Sequence, residues 1–260
     1  MKALRCYEGT PRGDAWRRKR GGFTTGQHLI FDGNAGKLPA AFADCMSVIL
    51  EPLEMVESEH FKGVRGRTFL GVLGLVYQLL LSAWTDCEEG RLTASSHHWR
   101  SIFESADYLL ALWWDDEFAR TWHDVELFEN KKAEQAMQMA QRKLNEQEPG
   151  RGDTRYADRG KQRRDLQVFS HVSQAAVSWI FTKPPGGTGS FFVPEGYNGP
   201  ENVRVAVFLV RWANEILTAL SETIDSIMPD QWREACGGVK SATEAYVAAV
   251  EQATNPQEGA

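Results

Sequence analysis

From Pro39 onward the apolar positions of the chain recur at intervals of three and four, the period of a helix with one buried face. The first such segment is PAAFADCMSVILEPLEMVESEH (Pro39–His60), in which Pro52 is placed to kink or divide the helix because proline brings no N–H to the interior. A second helix is predicted from about Arg67 to Glu88. Its centre, TFLGVLGLVYQLLLSAW (Thr68–Trp84), is apolar apart from Gln78, and Gly71 and Gly74 offer a neighbouring helix a close approach. In TASSHHWRSIFESADYLLALWW, Ser95 or Ser96 is placed to cap, and Trp99, Phe103, Ala106, Leu110 and Trp113 form a heptad-like stripe.

Further along, Asp115 to about Gln147 reads as a long polar amphipathic helix, and the Pro-Gly break and mixed charge of Glu148–Gln162 read as a mobile loop or a late helix start. A helix then runs from about Arg163 to Thr182 and stops at Lys183-Pro184-Pro185-Gly186-Gly187. The following loop, to Pro200, carries Phe191, Phe192 and Tyr197, and a short hairpin near Phe191 is the one strand the pattern allows. Helices over about Glu201–Met228 and Pro229–Ala253 complete an all-α helical bundle of about six to eight helices. The expected organisation is an irregular basic arm over residues 1–36, containing RRKRGG (Arg17–Gly22), and one helical domain over 37–260 with loops near 148–162 and 183–200.

A chain of 260 residues buries a sizeable core without covalent staples. The four cysteines, Cys6, Cys45, Cys87 and Cys236, are scattered with no CxxC pair, which predicts reduced thiols. The opening MKALRCYEGTPRGD has no apolar run and no cleavage site, so a cytoplasmic location is expected. Thr68–Trp84 falls short of the ~20 residues a membrane span needs and is read as a buried helix, with no membrane partner. A formal charge of −6 argues against whole-surface attraction to nucleic acid and leaves room for local basic patches.

Two motifs fail on spacing, and a third has a plainer reading. DGNAGKL (Asp32–Leu38) lacks the first glycine of a phosphate loop and has Leu38 where a magnesium-binding hydroxyl belongs. Glu57-Ser58-Glu59-His60 is a single ExxH, whereas a di-iron bundle uses two. Asp115, Asp116 and Glu117 offer carboxylates for magnesium, but acids just after an apolar helix also suit the first turn of the next one. No resident metal or cofactor is expected.

Two groups of polar residues remain. Arg100 and Glu104 lie one turn apart, with Asp107 on the same stripe, a spacing that permits an ion pair at the core edge or a polar cluster in a cleft. In RRDLQVFSHVSQAAVSWIF (Arg163–Phe181), Leu166, Phe169, Ala176 and Ile180 share one helical face, and Arg164, Gln167, His171, Gln174 and Ser178 share the other. Arg164 and His171 are separated by about two turns, so their heads can converge on one phosphate. A histidine titrating near neutrality can take a proton from a ribose 2′-hydroxyl, and an arginine fork can hold the charge that builds on phosphorus. Arg151, Arg155, Arg159, Lys161, Arg163 and Arg164 form a basic run suited to an RNA backbone, diluted by Asp153, Asp158 and Asp165.

Arg164-Asp165-Leu166-Gln167-Val168-Phe169-Ser170-His171 resembles the RNase motif of the HEPN superfamily, an arginine and a histidine with four to six residues between them, often with Asn, Asp or His after the arginine, and the six here are the upper limit. HWRSIFESADYLLALWWDDEFARTW (His98–Trp122) resembles the Arg-x3-Glu helix of bacterial helical proteins related to HEPN. Arg91 with His97 or His98 matches the same loose spacing. The resemblance implies a dimeric helical bundle that cuts RNA without metal or binds it, in a toxin or phage-defence setting. His171 would be the general base, Arg164 the phosphate clamp and Asp165 the third motif residue, with Arg100, Glu104, Arg159, Lys161 and Arg163 as substrate contacts. The alternatives are a non-catalytic module that binds a protein partner, and a small-molecule enzyme using Asp115, Asp116 and Glu117.

Overall fold

Two long apolar segments of the chain, adjacent in sequence, form its central hairpin. The computed structural model describes residues 9–19, 36–122, 131–170, 181–182, 191–192 and 200–254. Among these, nine α-helices run in order: α1 (Pro11–Lys19), α2 (Leu38–Glu54), α3 (Val64–Glu88), α4 (Leu92–Trp114), α5 (Asp116–Thr121), α6 (Lys131–Gln147), α7 (Arg151–Ser170), α8 (Pro200–Thr223) and α9 (Asp230–Thr254). Two single 3₁₀ turns, Glu59–Phe61 and Asp225–Ile227, and a two-residue antiparallel ladder pairing Phe181 with Phe192 complete the fold.

The α3–α4 hairpin turns at Gly90, whose φ of 73° is the left-handed conformation that ends a helix cheaply only for glycine. Ser95 sits inside α4, where its hydroxyl donates to the Ala83 carbonyl at 2.9 Å and ties the two helices together, so neither Ser95 nor Ser96 is the predicted cap. The α4 stripe behaves as its spacing predicts, with Trp99, Phe103, Ala106 and Leu110 buried. Helices α8 and α2 close the core over α3 and α4, and α9 packs on α8 and α2. The Trp232 indole donates to the Val48 carbonyl, and the Asn202 amide to the Cys87 carbonyl, at 3.1 and 2.8 Å.

Helix α3 alone among the described helices is long and apolar enough to cross a membrane, and just over half of that apolar stretch is buried inside the bundle. Gly71 and Gly74 do not serve as the predicted helix contact. A side chain at Gly71 would meet nothing within 4 Å, and one at Gly74 would only touch Leu53. Gly66 is needed for a local contact instead, since its missing Cβ would stand 2.5 Å from the backbone of Phe61 in the turn that leads into α3.

Three predicted boundaries are corrected. Within the supposed irregular arm, Pro11–Lys19 is a docked helix. Asp44 accepts from the Thr10 N–H and hydroxyl at 3.0 and 2.7 Å, Arg12 pairs with Glu51, and buried Trp16 donates to the Tyr77 hydroxyl at 2.7 Å. The predicted helix over 115–147 is two helices, α5 and α6.

The supposed loop at 148–162 is a turn of three residues followed by helix, because Asn145 on α6 caps α7 by accepting from the Gly152 N–H at 2.8 Å. Gly150 turns the chain at φ 85°, and a Cβ on Gly152 would stand 2.0 Å from the Gln141 carbonyl oxygen. The helix predicted from Arg163 to Thr182 therefore starts twelve residues earlier, and Phe181–Thr182 is strand.

Candidate functional site

Helix α7 carries arginines at every fourth position, Arg151, Arg155, Arg159 and Arg163, which places all four on one face. That face turns inward. Arg159 is 2% exposed, its Nε donating to Asp107 at 2.7 Å and its two terminal nitrogens to Glu215 and the Phe103 carbonyl. Its guanidinium carbon stands 3.8 Å from the centre of the Phe103 ring, a cation–π contact. Burial pulls the Arg159 pKa down, but Asp107 and Glu215 outweigh it and hold the group above the ordinary arginine value.

Arg155 donates to the other Asp107 oxygen at 2.9 Å, Arg151 pairs with Glu222, and Arg163 lies 3.3 Å from Glu104, which also accepts from Arg100 at 3.0 Å. The predicted Arg100–Glu104 pair is thus present and is one rung of a longer ladder. Arg159 and Arg163 were expected as substrate contacts. Both are instead turned to carboxylates inside the fold, and a phosphate could reach Arg159 only by displacing Asp107 or Glu215. Beside the ladder an open cleft of about 670 Å³ is lined by Glu148, Arg151, Arg155, Asp158, Gln162 and Glu215, with charges of both signs.

The ladder fixes direction. Asp107 meets Arg155 and Arg159, Glu104 meets Arg163, and Trp99 shares a groove with Leu166, so α7 runs antiparallel to α4 and delivers its last residues beside the α4 start. Helix α8 begins at the same end, where Asn202 binds Cys87, and reaches Arg151 with Glu222. At this end Arg91 precedes α4 and donates to Asp86 at 2.6 Å, while the His98 Nε2 lies 3.8 Å from the same carboxylate. The alternative Arg91–His98 spacing therefore converges on Asp86. Arg164 and Asp165 lie on α7, their side chains outside the described residues, as is His171. Lys161 is exposed.

The same end carries an apolar groove of about 170 Å³ between α4, α7 and α8, lined by Trp99, Gln162, Leu166, Phe208, Arg211, Trp212 and Glu215. Phe208 stacks on Trp212 with centroids 6.1 Å apart and planes 19° apart, and Trp99 meets Trp212 at 5.7 Å. Phe208 is 42% exposed, which is unusual for a ring of its size.

The carboxylates proposed for a metal enzyme are used otherwise. Asp115 caps α5 by accepting from the Phe118 N–H at 2.9 Å, Asp116 pairs with Arg65 at 3.2 Å, and Asp116 and Glu117 form the first turn of α5. Among the described residues no three His, Cys, Asp or Glu side chains gather as a metal site. Cys45, Cys87 and Cys236 are buried, and burial pushes Cys45 up to about 12 and Cys236 up to about 11, which keeps them as inert thiols. Sequence reasoning missed Glu215 and Glu222 as partners of the arginines. The four-residue spacing of the arginines was the available signal, and it marks a shared face without saying what covers it.

No protein-family model, curated protein or solved structure matches the chain.

Proposed function

We propose that this protein is a HEPN-like helical bundle that binds RNA and cleaves it without a metal ion, acting at the end of the bundle where α7 runs out beside the start of α4. The observation that supports this reading is the Arg163–Glu104–Arg100 contact, which brings the two HEPN-like segments of the sequence together although they are about 60 residues apart. In this reading Glu104, Arg100 and Arg163 position α7, and phosphate contact passes to Arg164 and exposed Lys161. His171 takes the proton from the ribose 2′-hydroxyl as the 2′-oxygen attacks phosphorus. Arg164 holds the charge on the phosphorane, and the 5′-oxygen leaves, giving a 2′,3′-cyclic phosphate and a 5′-hydroxyl. A second copy of the chain, as the resemblance implies, would contribute the same pair to one cleft, and a toxin or defence role would follow.

The test is incubation of wild type, His171→Ala, Arg164→Ala and His98→Ala with mixed RNA in EDTA, with analysis of the fragment ends. Wild type is expected to leave 2′,3′-cyclic phosphate, and His171→Ala to lose about 10²–10⁴-fold in rate, as removal of a general base does. His98→Ala is expected to cleave normally. The reverse result would move the site to Arg91 and His98. A specific observation favours a second reading, a non-catalytic interaction module: four of the six cations in the basic run are committed to internal ion pairs. Wild type that neither binds nor cleaves RNA would make that the function.

A further inference from the structure

We infer that the groove between α4, α7 and α8 is a nucleobase-binding subsite, which seats one unstacked base of an RNA strand on Phe208 beside the proposed cleavage end. The inference rests on the RNA reading above and deepens it. The groove is about 170 Å³, room for one flat ring system and well below the ~300–1,000 Å³ of a site for a larger ligand. Its walls are flat and apolar. Trp99 and Trp212 are buried behind Phe208, so a ring laid on the exposed Phe208 face extends an existing aromatic stack, and Leu166 closes the other side.

The rim has the polar groups that a base edge and its phosphate need. Gln162 is exposed one turn before Leu166, with an amide that can donate to and accept from a base edge. Glu215 pairs with Arg159 and also lines the groove, where its carboxylate suits an exocyclic amine. Arg211 stands at the mouth, half exposed and paired across the surface with Glu251, where a backbone phosphate can compete for it. A purely apolar partner would use neither the Gln162 amide nor the exposed side of Arg211, whereas a base edge with its attached phosphate can meet both. Location agrees with the chemistry. Leu166 belongs to the last turns of α7, so the groove lies toward the end of the bundle where α7 runs out, the end at which cleavage is proposed.

The experiment compares two short fluorescent 2′-O-methyl oligomers, one carrying bases and one abasic, because the methyl group removes the attacking hydroxyl and lets binding be read alone. Fluorescence anisotropy is measured with wild type, Phe208→Ala and Phe208→Tyr at one fixed salt concentration. Wild type should prefer the base-bearing strand by about ten-fold, in line with stacking on one aromatic ring. Phe208→Ala should bind both strands as wild type binds the abasic one, and Phe208→Tyr should keep the preference. Phe208 is 42% exposed, and a thermal melt run beside the binding assay will show that the alanine variant is folded. Equal binding of both strands by wild type, or a preference that survives Phe208→Ala, would overturn the subsite while leaving RNA binding intact. Failure of wild type to bind either strand would sink the subsite and the RNA reading together.

Discussion

Helix α4 is packed in two different ways on its two sides. Toward α3 the seam runs from Phe69 against Trp113, with centroids 5.1 Å apart, to the Ser95–Ala83 bond, and most of what lies between is aliphatic. Toward α7 the seam is closed by charge, with Arg155 and Arg159 on Asp107 and Arg163 on Glu104. Apolar burial stabilises without direction, so the first seam tolerates sliding until side-chain shape stops it. The second specifies register, because a shift of one residue would leave buried charges without partners. The difference teaches what holds a very polar helix in place. With so few apolar residues, α7 cannot be docked by hydrophobic burial and is held by a row of ion pairs.

The sharpest way to break that comparison is Asp107→Ala. Asp107 is buried and serves both Arg155 and Arg159, and Arg159 is itself 2% exposed. The loss leaves the buried Arg159 guanidinium to the partly exposed Glu215 and takes a partner from Arg155 as well, and the expected cost is about 3 kcal/mol in urea unfolding, the low end for breaking a buried pair. A cost under about 1 kcal/mol, the range of an exposed ion pair, would mean that the ladder is surface decoration and that α7 is held by something else.

The same contrast explains what was legible in the sequence. The three-to-four spacing of Trp99, Phe103, Ala106 and Leu110 identifies α4 because apolar period reports burial directly. Asp115 as a start signal for α5 was equally readable, since a cap is local chemistry. Helix α1 and the first three turns of α7 were not. Their anchors are partners far away in the chain: Trp16 finds Tyr77 61 residues on, and Arg159 finds Asp107 and Glu215 at separations of 52 and 56. A polar stretch looks like a loop when the carboxylates that neutralise it lie on other helices. At the candidate site, the Arg100–Glu104 pair was readable for the same reason that Asp115 was, while the inward turn of Arg159 and Arg163 was not.

Glu88 sharpens the comparison from the apolar side. It is a buried acid on α3 with no arginine in salt-bridge contact among the described residues, and burial pushes its pKa up to about 7, with Trp84 and the more distant Arg17 charge drawing it back only in part. The folded pKa lies above the ordinary value of 4.5, so the folded state binds more protons than the unfolded chain between these values. Stability from this group is therefore present below about pH 4.5 and is lost as pH rises through about 7. Glu88→Gln should be close to neutral at pH 5 and stabilising by about 2 kcal/mol at pH 8, read from urea midpoints at the two values. An equal effect at both would show that the carboxyl stays ionised and that α3 carries a charge as well satisfied as those on α7.

The smallest expected change comes from the most drastic replacement. In Asp107→Leu with Arg159→Met, the buried charges leave together and apolar volume takes their place. Arg155 and Glu215, which lose one partner each, are partly exposed at 21% and 34% and can turn to water. The Phe103 carbonyl keeps the intrahelical N–H that any α-helix supplies. Exchange of a buried ion pair for packed hydrophobic side chains is commonly neutral or stabilising, so the double variant should melt within about 1 kcal/mol of wild type even though Asp107→Ala alone is ruinous. If the ladder's role is register, the change will show elsewhere. Amide exchange along α7 should quicken while that of α3 and α4 stays as it was, because the aliphatic seam is untouched and the charged one has lost the contacts that fix its alignment. Unchanged protection along α7 would mean that Arg151 with Glu222 and Arg163 with Glu104 suffice to set the register from the two ends, and that the buried centre of the ladder adds nothing to it.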